Sequence, residues 1–249
     1  MKQNYFEPTW SSIKQHQTPN WFKKAKFGIY AHWGIYSVPA AGPNVTWYPY
    51  WMYRPPSPQF DYHCKHYGHP SKFGYKDFIP MFTAEKFNAE EWADLYYRSG
   101  AKFAGPVAEH HDGFPMWNCS DTQWCASKMG PKRDIVGELA KAIRNKGMKY
   151  MVAMHHAENW FFFPHWNNDF DTSKKEYESL YGELHNLDLI GNQAVYPDHW
   201  GRKNEHQDKP SKAFHDRWLN RLKEVVDNYK PDYVLSLIHI SEPTRQEAI

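Results

Sequence analysis

The chain has 249 residues, enough for one large domain or two small ones, and carries a formal net charge of +2. Its Lys, Arg, Asp and Glu are interspersed, so no basic stripe points to nucleic acid and no run of like charge makes a tail. No stretch approaches the roughly 20 apolar residues of a membrane span, which excludes a helical membrane protein. The opening MKQNYFEPTWSSIKQHQTPNW has no apolar core of a secretory leader. The expected compartment is therefore cytoplasmic by default, and secreted or periplasmic if a leader has been lost. Cys64, Cys119 and Cys125 show no zinc spacing, and an odd count argues against a complete disulfide framework.

Residues 1–26 read as a polar lead-in, with Pro19 and Trp21 before the first strand at Phe27–Ala31. That strand ends at His32-Trp33-Gly34, and a long segment rich in Pro, Tyr and Trp follows. Its aromatic content speaks against disorder and predicts a structured wall of a cleft. Ala89, Trp92, Ala93, Tyr96 and Tyr97 recur at helical spacing and predict a helix over Ala89–Ser99, capped by Gly100. Lys102–Ala108 is the second strand, and it runs into Glu109-His110-His111-Asp112. Asp134 is placed to cap a helix bearing Ile135, Leu139, Ala142 and Ile143, closed by Gly147. Lys149–Met154 is the third strand, ending in His155-His156-Ala157-Glu158. A helix from about Ser211 to Tyr229 precedes a fourth strand opening at Pro231.

Strand alternating with helix predicts an α/β fold with a parallel sheet. Long segments follow the strands, whereas the returns Gly100-Ala101, Gly147-Met148 and Lys230-Pro231 are short. This asymmetry favours a (β/α) TIM-like barrel with its chemistry at the strand C-termini, with only about four of its eight strands present. A doubly wound sheet is the rival, but no Gly-rich phosphate loop follows the first strand.

Three strand ends that carry histidines should meet around one site. Neutral imidazoles exchange hydrogen bonds with hydroxyls and also bind metals. Residues adjacent along a strand point to opposite faces, so the pairs His110-His111 and His155-His156 disfavour a metal-dependent hydrolase. No cofactor or metal is expected. Glu109, Asp112 and Glu158 read as groups that orient histidines rather than as acid or base. Aromatics make up 18% of the chain, and aromatic faces stack on sugar C–H faces, although Trp33, Trp47 and Trp117 equally suit a core.

The segments KFGIYAHWGIYSVPA, TWYPYWMY, FNAEEWADLYYRSGAKFAGPVAEHHDGFPMW, DIVGELAKAIRNKGMKY, HHAENWFF and NYKPDYV resemble glycoside hydrolase family 29, the α-L-fucosidases, from about residue 5 to 234. The resemblance implies a partial-barrel catalytic domain, a retaining mechanism and a fucosylated glycan as substrate. It implies that His32, His110 and His111 hydrogen-bond sugar hydroxyls, that Trp47 packs by the ring and its methyl group, and that His155 lies in the pocket. Fucose lacks a 6-hydroxyl, so its site must be polar at the ring edge and apolar at the methyl. Histidines beside tryptophans supply that mixture. Retention needs two carboxyl groups about 5–5.5 Å apart, one of them attacking the anomeric carbon.

The chain departs from the family in two places. Many members carry a glutamate before the position of Trp47, where this chain has Thr46. The family nucleophile, an aspartate, falls at Leu237, which cannot form a glycosyl ester. The acid/base glutamate is expected beyond Ile249. The tail LSLIHISEPTRQEAI resembles the translation of a transposase adapter used in sequencing libraries. The expected organisation is a lead-in at 1–26, a truncated barrel at 27–234 and an artefactual tail at 235–249. The expected behaviour is poor stability and no fucosidase turnover. A metal-dependent hydrolase and a non-catalytic fucose-binding module are the alternatives.

Overall fold

In the computed structural model, which describes residues 6–184 and 210–236, the polar lead-in is folded rather than extended. It forms two short helices, α1 (Trp10–Ile13), capped by the Thr9 hydroxyl, and α2 (Asn20–Ala25). Strand β1 (Gly28–Ala31) follows, and then a segment with two further helices, α3 (Tyr48–Trp51) and α4 (Pro58–His66). Ser57 caps α4 by accepting from the Phe60 amide, and Pro58 occupies the first turn, where its missing N–H costs nothing. Helix α5 (Ala89–Arg98), strand β2 (Phe103–Glu109), helix α6 (Ile135–Asn145) and strand β3 (Lys149–Met154) come next. The described chain closes with α7 (Asn159–Phe162), α8 (Glu178–Tyr181), α9 (Lys212–Tyr229) and β4 (Tyr233–Ser236).

All three strand pairings are parallel, and the order is β1-β2-β3-β4. A doubly wound sheet reverses its strand order at a switch point. This one does not, which disposes of the rival topology. Strand β4 runs two residues past Val234, pairing Leu235 with Ala153 and Ser236 with Met154, so the boundary drawn at 234 falls inside a strand. Residues 237–249, which include Leu237, lie outside the described residues.

One side of the sheet is covered by α5 and α6. Ala104, Ala108, Tyr150, Val152 and Met154 share a buried cluster with Ala93, Ile135, Leu139 and Ile143. Asp134 caps α6 by accepting from the Gly137 amide, and the Tyr229 hydroxyl donates to the same carboxylate at 2.8 Å, so α9 is tied to that cap. The lead-in closes the N-terminal end of the sheet. Phe22 lies 5.7 Å from Phe103 and 5.0 Å from Tyr233, the first residues of β2 and β4.

Strands β2 and β3 approach closely because Gly105 has no side chain. A Cβ there would overlap the backbone carbonyl oxygen of Met151, which a rotamer change cannot relieve. Gly105→Ala is therefore expected to cost about 3 kcal/mol, in the range for overpacking a rigid core. Urea denaturation reads this as a lower midpoint, and an unchanged midpoint would refute the close approach.

Candidate active site

The histidine site begins where the strands stop. His32 follows the last residue of β1, His110 and His111 follow β2, and His155 follows β3. Near the end of β2 the register shifts between Val107 and Glu109, so two residues of β2 oppose one of β3. Such a bulge bends a strand and re-aims the residues that follow.

The four rings lie within a few ångströms of one another. His32 stacks on His155 at 5.3 Å and 8°, and meets His110 edge-on at 5.6 Å. His110 and His111 are 4.3 Å apart, and His155 lies 5.7 Å from the first and 5.4 Å from the second. The rule that neighbouring residues diverge holds for His155 and His156 but fails for His110 and His111. Both pairs lie beyond the last paired residues of their strands, where alternation no longer decides, and the bulge is found in β2, the strand that carries His110 and His111. Adjacency is therefore no argument about metals here. Among the described residues, no three or more His, Cys, Asp or Glu side chains are grouped to hold a metal ion.

Trp47 completes one wall, 5.0 Å from His111 and 5.3 Å from Phe162. Phe162 itself lies 5.4 Å from His111. Polar rings thus meet an apolar aromatic corner, and Phe162 was not foreseen. Its signal was the NWFF run after the third strand end. Trp33 points away from this site and packs on Phe82, Phe87 and Trp92, and Trp117 is fully buried with its Nε1 donating to Glu224. Thr46 is half-buried in the turn that carries Trp47.

Burial sets the charge state of the cluster. It pushes His155 down to about 3, assisted by His32, and drives His110 well below its ordinary value, assisted by its three histidine neighbours. Both rings are neutral at pH 7, each with a donor and an acceptor. His111 Nδ1 donates to the His155 carbonyl at 3.0 Å, which fixes the orientation of the ring. Neither ring nitrogen of His155 has a hydrogen-bond partner among the described residues, although the residue is only 2% exposed. Among the described residues, His110 Nδ1 and the Tyr36 hydroxyl are also buried without partners, and the Tyr36 ring lies 4.9 Å from His110.

The three carboxylates have separate surroundings. Glu109 Oε1 accepts from His156 Nδ1 at 2.7 Å and from Arg221 Nη1 at 2.5 Å. Burial would raise this carboxyl, but Arg221 and then His156 outweigh that and hold it below its ordinary value. The histidine it orients is His156, which stacks on Phe214 outside the four-ring cluster. Asp112 accepts from the Tyr75 hydroxyl at 2.7 Å and the Phe114 amide at 3.2 Å, so it orients a tyrosine rather than a histidine. Glu158 is half-buried in the turn after His155.

Burial raises Asp112 from 3.8 to about 7, against the two bonds that favour its charged form. The folded protein keeps this proton where the unfolded chain has lost it. Its stabilisation is therefore full below pH ~4 and lost as pH rises to ~7. The depressed histidines act oppositely, stabilising above their unfolded value and losing that as the solution becomes acidic. Asp112→Asn removes the first effect alone. Relative to the parent, this variant should gain about 2–3 kcal/mol on going from pH 5 to pH 8. Thermal melts at the two pH values check this, and an equal offset at both would refute it.

Comparison with known proteins accords with this geometry. The α-L-fucosidase family profile matches residues 1–248. The tissue α-L-fucosidase of Rattus norvegicus is 34% identical over 234 residues, which is 94% of this chain and 42% of that protein. The plasma α-L-fucosidase of Homo sapiens is 46% identical over 142 residues, 57% of this chain and 30% of that protein. Thermotoga maritima α-fucosidase, solved in complex with fucose, superimposes with a TM-score of 0.72 at 34% identity, covering 93% of this chain and 49% of that one. The chain spans less than half the length of each of these relatives, and its four parallel strands form part of a (β/α) barrel. Sheet order, strand-end histidines and these matches lead to one conclusion: the chain belongs to the α-L-fucosidase family.

Proposed function

We propose that the four-histidine site binds terminal α-L-fucose of glycans and is the sugar-holding half of a retaining α-L-fucosidase. His155 carries this reading, a buried neutral imidazole whose two nitrogens have no protein partner among the described residues. Leaving such atoms unpaired is costly unless a ligand satisfies them. His32, His110 and His111 surround the ring hydroxyls, and Trp47 with Phe162 offers an apolar corner for the methyl group. Glu109 is occupied by an ion pair and Asp112 by Tyr75, so neither is the attacking carboxylate. Leu237, at the position of the family nucleophile, has no carboxyl to offer. The reading for this chain is thus fucose recognition without turnover, hydrolysis requiring an aspartate at that position. No cofactor enters it.

Titration with L-fucose and with L-galactose, which differs by a 6-hydroxyl, tests the reading. Fucose is expected to bind at least about tenfold more tightly, because the extra hydroxyl would lose its water against Trp47 and Phe162. Equal affinities would refute the assignment of the apolar corner, and absence of fucose binding would refute the site. Release of nitrophenol from an aryl α-L-fucoside would overturn the non-catalytic reading.

A further inference from the structure

We propose that Arg221, on helix α9, is a positioning residue for the fucose-binding histidines. It lies 112 residues from Glu109 in sequence and is 2% exposed, deep between α9 and the strand ends. Its Nη1 donates to Glu109 Oε1 at 2.5 Å, and its Nε lies 3.1 Å from both carboxylate oxygens of Asp121. The planar fork thus holds two carboxylates at once in one fixed geometry, which a lysine's freely rotating ammonium does not impose.

A continuous series of bonds leads from this guanidinium to the site. The same Glu109 oxygen accepts from His156 Nδ1 at 2.7 Å, and the Glu109 carbonyl accepts from the His155 amide at 2.8 Å. The His155 carbonyl in turn accepts from His111 Nδ1 at 3.0 Å. Glu109 therefore holds both the backbone of His155 and the side chain of the next residue. Freed from Arg221, it changes the direction in which the turn after β3 leaves the sheet. The His155 ring moves with that turn, and His111 follows through its bond. Arg221 has a further, longer bond to the Gly113 carbonyl at 3.4 Å, and in this arrangement it acts on the histidines chiefly through Glu109 and not on the sugar.

The inference rests on the fucose reading for its binding assay but not for its spectroscopic one. Two variants of the full chain are compared with the parent, Arg221→Lys and the paired Glu109→Gln/Arg221→Met. The paired change leaves no fully buried charge unpaired, since Asp121 is 29% exposed and keeps Arg217 nearby, so it carries the test where a single change loses the fold. In sugar-free protein, the ring signals of His155 and His111 are expected to shift in both variants. L-fucose affinity is expected to fall about tenfold in each, with far-ultraviolet circular dichroism unchanged. A clamp that merely held α9 in place would lower the melting temperature and leave those ring signals and the affinity of the folded fraction as they were, and that result overturns the proposal. If the parent binds no fucose, the sugar assignment fails. The ring shifts then decide the positioning role alone, supporting it if present and overturning it if absent.

Discussion

His155→Leu is expected to lower L-fucose affinity about 100-fold while leaving the melting temperature equal to or above that of the parent. The two halves of this expectation have one cause. His155 is buried, and neither of its ring nitrogens bonds to protein among the described residues. The folded chain therefore carries the desolvation of an imidazole without its compensation. Two hydrogen bonds to hydroxyls, at about 1–1.5 kcal/mol each, make up the lost affinity. Leucine fills a similar volume, brings no polar atom and strands no partner, so folding is not penalised. Calorimetric titration and a thermal melt on one sample read both quantities. A large fall in melting temperature would show a histidine retained for packing, and unchanged affinity would place the sugar elsewhere.

The second large effect concerns stability. Glu109→Ala leaves the Arg221 guanidinium buried with Asp121 as its remaining charged partner and takes the acceptor from His156. Removing one member of a buried ion pair typically costs about 3–5 kcal/mol, because the surviving charge stays out of water. That is a large share of a domain's usual 5–15 kcal/mol. Chemical denaturation should show the loss, and the paired Glu109→Gln/Arg221→Met variant should recover most of it. If the single variant matches the parent, Arg221 has found water, and the interior around it is wetter than its 2% exposure implies.

Much of the architecture was legible in the residue pattern. The third strand begins and ends where the sequence predicts it, at Lys149 and Met154. Capping chemistry located the start of α6 after Asp134, and α9 starts one residue after Ser211, where the expected helix opened, with the Ser211 hydroxyl as its cap. Helix α4 was hidden within what read as a cleft wall, because its buried residues are Gln59 and His63 rather than an apolar stripe. His63 is a satisfied core histidine, bonded to the Tyr48 hydroxyl and the Phe73 carbonyl. The Ser57-Pro58 pair that opens α4 was the available signal. The four clustered histidines were legible as candidates because each follows an apolar strand. Arg221 was not, since an arginine on an amphipathic helix reads as solvated until its carboxylates are located. That His110 and His111 share one site was implied by the family resemblance but not by strand alternation, because the bulge beside Glu109 is a pairing detail without a residue signature.

The wedge of Phe22 between Phe103 and Tyr233 has a bearing on how the chain is made. Among the first described residues to leave the ribosome, Phe22 meets one of its neighbours only when β4, the last described strand, has emerged. Contacts of such long separation form late and slowly. All four described strands must be synthesised before the base of the sheet can shut, and until then α2, whose Lys23 and Lys24 side chains stay exposed even in the fold, has no packing to hold its backbone from trypsin. Timed proteolysis of nascent chains should therefore show protection at these two lysines arriving in step with exposure of Tyr233 outside the tunnel.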